Sequence, residues 1–272
     1  MASLVSVAAL VFVLAVPQLA LGADERPDGL EGLRWFRYGL PSDERREPPE
    51  GPTRERTSPF GLEVLASELR RGVTERGAGE RFDFDVRSTR LLARATFRPA
   101  RGLLFYGLVG QADLDSPSED ADFDGDFGLA YGGGAGIVLS REQDRYDTTL
   151  FLEGRYLQFE SEAAAVAFTG AGGDTVRADE TFRWREWEAR AGVSWRIHTT
   201  RPYLGLRYSD AEADARVSSG PAAGELRLRA REHVGGFVGL DVYFSAERRI
   251  GLTVEASFPD QVAGQVGLRV WF

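Results

Sequence analysis

The 272-residue chain has two histidines, His198 and His233, and no cysteine. Without a thiol there is no disulfide framework, no cysteine-bound zinc and no thiol nucleophile. His233 is followed by Val234 and Gly235, so no serine stands two residues on to be activated, and His198 falls in a predicted turn. These residues point away from an enzyme. The abundant reactive type is the ion. Lys and Arg together number 33, all of them arginine, against 42 Asp and Glu, giving a net charge of -9. That balance excludes a basic stripe able to follow a nucleic-acid backbone. Arginine stays charged and pairs with carboxylates through two donors at once. Where Arg and Glu recur at alternate positions, the chemistry they offer is ion pairing.

Two further stretches invite a ligand. The run from Asp113 to Asp126 is the most acidic, and Asp120, Asp122, Asp124 and Gly125 match the opening of a calcium loop, with Asp126 following. The twelfth position of that frame is Tyr131 where such loops need Glu, so calcium at Asp120, Asp122, Asp124 and Asp126 is the weaker expectation beside a solvated acidic loop. No other cofactor is expected. The glycines between Phe127 and Ser140 do not form a phosphate loop, because no Gly-x-Gly-x-x-Gly opens a helix and no lysine follows.

The elements that hold these residues read as strands. From Phe60 onward, segments of roughly ten residues alternate apolar and polar between turn residues. In Arg249–Phe258, Ile250, Leu252, Val254, Ala256 and Phe258 oppose Arg249, Thr253, Glu255 and Ser257. In Val262–Phe272, Val262, Val266, Leu268, Val270 and Phe272 oppose Gln265, Arg269 and Trp271. In 225–244, Leu226, Leu228, Ala230, Val234, Val238, Leu240, Val242 and Phe244 form one face, with Arg227, Arg229, Arg231, His233 and Asp241 on the other.

Upstream, residues 4–21 form an uncharged apolar run that ends with Ala20 and Leu21 and is followed by Gly22 and Ala23, which predicts a signal peptide over 1–23 cleaved after Gly22 or Ala23. Residues 24–59, rich in Pro, Glu, Asp and Arg, predict a disordered periplasmic linker holding one aromatic island at Leu33–Leu40. No second apolar run is long enough for a spanning helix, so an exported chain that stays in a membrane must cross it with strands.

Alternation alone does not say whether the apolar face is a core or a lipid face. The aromatic spacing argues for lipid. Trp187 and Trp195 share one face with Ala189, Ala191 and Val193 between them. Eight residues of tilted strand rise about 20 Å, close to the height of an outer-membrane apolar band. Connections also alternate, short near 99–102, 141–147, 199–202 and 246–248, long near 71–81, 115–126, 161–180 and 218–224. The resulting expectation is an all-β fold, a single antiparallel up-and-down transmembrane β-barrel over residues 60–272 with ten strands, or eight if the first segment does not pair. Its lumen would carry Arg90, Arg94, Glu153, Arg155, Glu186, Glu188, Arg190, Arg207, Arg227, Arg229, Arg231, Asp241, Glu255 and Arg269 as ladders of paired charge. His233 would face the same lumen. Gly128, Ala130, Gly132, Gly134 and Gly136 would leave room for the arginines opposite.

Phe127–Gly136 (FGLAYGGGAG) and the end Val266–Phe272 (VGLRVWF) resemble the small OmpA- and opacity-type outer-membrane barrels. The outward residues Val266, Leu268, Val270 and Phe272 resemble the terminal signal read by the outer-membrane assembly machinery. The resemblance implies residence in the outer membrane, contact with its lipids and lipopolysaccharide, and a structural or surface-interaction role. The other expectation is a narrow, weakly anion-selective pore, and an outer-membrane hydrolase ranks below both.

Overall fold

A computed structural model describes residues 59–75, 83–100, 102–117, 121–140, 148–169, 175–217, 224–244 and 249–272. The expected signal peptide and, apart from Pro59, the expected linker lie outside the described residues, as does the Leu33–Leu40 island. Ten strands build the wall: β1 (Phe60–Glu75), β2 (Asp83–Ala100), β3 (Leu103–Ala112), β4 (Gly128–Ser140), β5 (Thr149–Thr169), β6 (Thr175–Ser194), β7 (Thr200–Val217), β8 in two parts (Gly224–Ala230 and Val234–Tyr243), β9 (Ile250–Phe258) and β10 (Val262–Trp271).

Each strand pairs antiparallel with its sequence neighbours, and β1 pairs along its length with both β2 and β10, so the sheet closes on itself. Closure satisfies every ladder without an edge, the condition for a sheet in hydrocarbon. Ten is the even count expected, and the first segment does pair. Two of the short connections are described. Gly102 adopts φ 78°, a left-handed turn conformation open to glycine, and His198 turns the chain from β6 into β7 at φ 55°.

The outward residues of the membrane half are apolar. On β1 they are Phe60, Leu62 and Val64, on β7 Leu204, Leu206 and Tyr208, and on β9 Ile250 and Phe258, all exposed. Higher on the same strands the pattern turns over. Outward positions become Glu68 and Arg70 on β1, Arg183 and Arg185 on β6, and Asp210, Glu212 and Asp214 on β7. Inward positions become Val73, Val86, Leu114, Phe159, Phe182, Trp184, Ala211, Ala213 and Leu228, all buried in one cluster. The barrel is inside-out where lipid surrounds it and core-in where water does.

Its girth changes at the same place. The β9–β10 hairpin is short, and above its tip β8 crosses to β1, pairing Val73 with Ala230 and Glu75 with Leu228. Across the barrel, β3 and β4 are continued by the short strands Ser116–Pro117 and Ala121–Phe123, which reach β5. The upper ring therefore has eight strand segments, a girth whose interior side chains can fill.

Two expectations are corrected here. The loops foreseen at 71–81 and 161–180 begin later, because β1 runs to Glu75, β5 to Thr169 and β6 starts at Thr175, their backbone groups staying paired above the membrane. The face assigned to 225–244 does not run through. Arg231, Glu232 and His233 interrupt the strand and shift its parity, so Leu228 and Ala230 point inward while Arg227 and Arg229 point out. Their guanidinium groups pair with Asp214 and Glu212 on the outer face of β7.

Leu206→Arg, on a lipid-facing side chain that is 69% exposed, is expected to destabilise the barrel by about 2–4 kcal/mol in urea titrations in lipid, with Glu212→Arg near zero. Equal, negligible effects at both positions would mean that the apolar band faces water.

Candidate functional site

The densest chemistry lies inside the wall. In an antiparallel register opposite residues share a face, and here register sets acids against arginines: Glu63 opposite Arg94 and Arg269, Glu153 opposite Arg190, Arg155 opposite Glu188. Arg190 and Arg207 also fall opposite one another, so each turns to an acid elsewhere.

The resulting belt has two tiers. In the lower tier Arg269 reaches Glu63 at 2.8 Å and Asp241 at 4.0 Å, Arg94 reaches Glu153 at 3.2 Å, and Arg190 reaches Glu255 at 2.6 Å. Tyr203 donates its hydroxyl to Glu255 (2.9 Å), and Thr253 donates to Asp241 (2.7 Å). In the upper tier Glu186 accepts from Arg90 (2.8 Å) and from the Trp184 indole (3.2 Å), with Arg155 at 3.5 Å. Arg155 also reaches Glu188 at 3.1 Å. Arg207 grips Asp260 through Nε and Nη2, and Ser209 donates to the same carboxylate. Charges this deeply buried are tolerable only in pairs, because desolvation of a lone ion costs several kcal/mol.

Aromatic rings complete the packing. The Arg94 guanidinium lies 3.6 Å over Tyr106, Arg190 lies 4.0 Å over Phe237, and Arg98 lies 3.8 Å over Trp271. The glycine strand β4 has the facing foreseen. Its immediate occupant is Tyr106, whose ring fills the space a Cβ at Gly134 would need, with Arg94 stacked beyond it. Above the belt the plug begins with Phe159 and Trp184, stacked at 6.2 Å. Below it a cavity of about 160 Å3 opens among Arg98, Arg201, Tyr203, Asp241, Arg269 and Trp271.

Of the residues expected in the lumen, Arg90, Arg94, Glu153, Arg155, Glu186, Glu188, Arg190, Arg207, Asp241, Glu255 and Arg269 are brought together there. Arg227, Arg229 and Arg231 are not, because of the parity shift in β8. His233 is likewise corrected: it stacks on the outward ring of Tyr208 (5.7 Å), its Nδ1 lying 3.1 Å from the Ser209 carbonyl. Glu63 and Asp260 were missed. Strand parity could have found Glu63, between Leu62 and Val64. Asp260 sits in a Pro-Asp-Gln turn whose composition reads as exposed, yet it is 3% exposed.

Of the acidic run, Asp120 and the Asp122 side chain lie outside the described residues, and Asp124 and Asp126 are exposed. Among the described residues no cluster of three such ligands forms. Asp115, whose carboxylate accepts from the Gly125 amide, is pushed up to about 6 by burial, with Asp113 and Asp124 nearby adding to the rise. The expected terminal-signal residues Val266, Leu268, Val270 and Phe272 all face outward on β10 or just past its end.

No known protein family and no curated protein matches this sequence. Among solved structures, the chain is similar to the outer membrane protease OmpT from Escherichia coli, at 9% identity and a TM-score of 0.48 over 78% of this chain and 95% of that one. It is similar to the translocator domain of the autotransporter NalP from Neisseria meningitidis, at 14% identity and a TM-score of 0.45 over 78% and 88%. It is also similar to Ail of Yersinia pestis, at 12% identity and a TM-score of 0.27 over 78% and 97%. The closed barrel itself rests on the strand register given above.

Glu186→Gln is expected to cost about 3–5 kcal/mol, because Arg90 and Arg155 are left with an uncompensated buried charge. The double replacement Arg90→Met with Glu186→Leu should recover most of that loss in the same urea titration. A double variant no better than the single one would show that the pair is worth more than an apolar core of its volume.

Proposed function

We propose that this chain is a closed outer-membrane barrel with a structural or surface-interaction role, without through-flow and without catalysis of its own. One observation carries the reading. The charged belt, which alone could line a water path, is capped by the apolar plug of Val73, Val86, Leu114, Phe159, Phe182, Trp184 and Leu228. A pore would have to pass that plug, where the eight-segment ring leaves its interior to side chains.

The outer surface supports the second half of the reading. Above the apolar band the strands continue as a charged collar, with Arg183 on Glu160 at 2.6 Å, Arg185 on Asp214 and Arg229 on Glu212. Strands that stay paired beyond the membrane offer a platform to partners at the cell surface. Outer-membrane lipids, lipopolysaccharide and the assembly machinery, which would read Val266, Leu268, Val270 and Phe272, are the partners this placement implies. Catalysis has little support, since His233 lies against the Ser209 carbonyl, the Asp210 carboxylate (3.5 Å) and Tyr208 with no nucleophile paired to it among the described residues.

In planar bilayers the purified barrel is expected to give no conductance steps at either polarity. Reproducible steps that disappear with the protein would contradict a closed barrel and favour the anion-selective pore instead.

A further inference from the structure

Where β8 leaves β9 to join β1, the wall carries a notch of about 160 Å3, lined by Arg70, Arg71, Arg231, Glu232, Asp260 and Gln261 among others. Its lower lip is lipid-facing, because Phe258 and Val262 are exposed on the apolar band. Its upper lip is the charged collar. His233, two residues past Arg231, stacks on Tyr208, which in turn lies 5.1 Å from Trp187. Such an aromatic row marks the headgroup level of a membrane barrel.

The notch is built, and of its carboxylates, Asp85, Glu232 and Asp260, none reaches the buried donors of Arg71. Arg71 is 1% exposed. Its Nη2 donates to the Ser209 carbonyl (3.1 Å), the Ser209 hydroxyl (2.9 Å) and the Glu232 carbonyl (3.1 Å). Its Nε and Nη1 find no partner among the described residues. Asp260 cannot serve them, being held by Arg207 and Ser209, and Asp85 is held by Arg70 at 3.0 Å. The Gln261 amide oxygen turns to Arg207. Two glycines make the room. A Cβ at Gly72 would strike the Arg231 guanidinium, and one at Gly235 would strike the Asp260 carboxylate. A buried guanidinium with two unmatched donors, flanked by two more arginines at the rim, calls for an oxyanion with several acceptor oxygens.

We propose that the notch seats one phosphate monoester, accepting from Arg71 Nε and Nη1 inside the wall and from Arg231 and Arg70 at its mouth. The headgroup of an outer-leaflet glycolipid and free inorganic phosphate share this chemistry. The inference rests on the membrane placement of the barrel and not on its closure, so a conducting barrel that still binds phosphate would contradict the closed-barrel reading alone.

The test uses the full-length barrel in phosphatidylcholine nanodiscs doped with diphosphoryl lipid A or with its fully dephosphorylated form, read by native mass spectrometry. A parallel arm follows the phosphorus resonance of inorganic phosphate titrated onto the lipid-A-free barrel. Arg71→Gln and Arg231→Gln are compared with wild type and with Arg183→Gln on the collar. Selective retention of the diphosphoryl lipid, weakened at least ~10-fold in both notch variants and unchanged in the collar variant, supports a headgroup. Broadening of the inorganic phosphate resonance that both notch variants abolish, without lipid selectivity, supports free phosphate. Equal retention of the dephosphorylated lipid with no phosphate broadening, or binding indifferent to Arg231→Gln, overturns the site. Arg231 lies at the surface, so its variant decides the matter even where Arg71→Gln fails to show the heat-modifiable mobility of a folded barrel.

Discussion

An ionised carboxylate inside a membrane barrel persists only with a guanidinium in reach, and the interior of this protein is arranged around that condition. Glu63, Glu186, Glu188 and Asp260 are each at most 3% exposed, and each lies within 4 Å of at least one arginine. Antiparallel register supplies arginines for Glu63 and Glu188, and the curvature of the closed wall brings others from strands far away in sequence, as with Arg90 and Glu186 or Arg207 and Asp260. Many of the strands are thus cross-linked through the middle as well as around the circumference. Such a network adds little net stability over an apolar core of the same volume, but losing one member is costly, which makes register slippage of any strand costly too.

The belt also explains where the barrel changes character. Below the upper tier the solvent outside is hydrocarbon, so apolar residues face out and polar ones are driven in. Above it the solvent is water, and the ordinary arrangement of a soluble β-protein returns. Trp184 and Glu186 sit two residues apart on the inward face of β6, and the indole donates to the carboxylate across that boundary. The drop from ten strands to eight segments coincides with it. Ten strands leave space that long paired arginines fill, and eight leave space that Phe159, Phe182 and Trp184 fill.

Much of this was legible in the sequence wherever one alternation held from turn to turn. Residues 249–258 and 262–272 gave both faces correctly, because each lies almost wholly within the apolar band and carries a single phase. The glycine face of β4 was legible for the same reason. The reading failed where the environment changes along one strand. In 225–244 the alternation implies a continuous apolar stripe past Arg231, Glu232 and His233, yet those residues spend one step of parity in leaving β9's level for β1's. Arg227, Arg229 and Arg231 then exchanged inside for outside. Asp260 was illegible for a different reason: a turn folded into a wall has the composition of a turn in solvent, and only long-range closure brings Arg207 to it. Arg71 lay in what read as a loop, so its burial followed from strand extension that local composition does not encode.

The turnover of faces at the membrane boundary can be read from side-chain accessibility along β7. The chain has no cysteine, so single replacements report without background. In outer membranes, a membrane-impermeant maleimide is expected to label Glu212→Cys rapidly and to leave Leu206→Cys and Ala211→Cys unmodified. A lipid-soluble maleimide should then label Leu206→Cys and still spare Ala211→Cys, which lies in the plug. If the impermeant reagent labels Leu206→Cys as fast as Glu212→Cys, the outer apolar face is in water and the inversion described here is wrong.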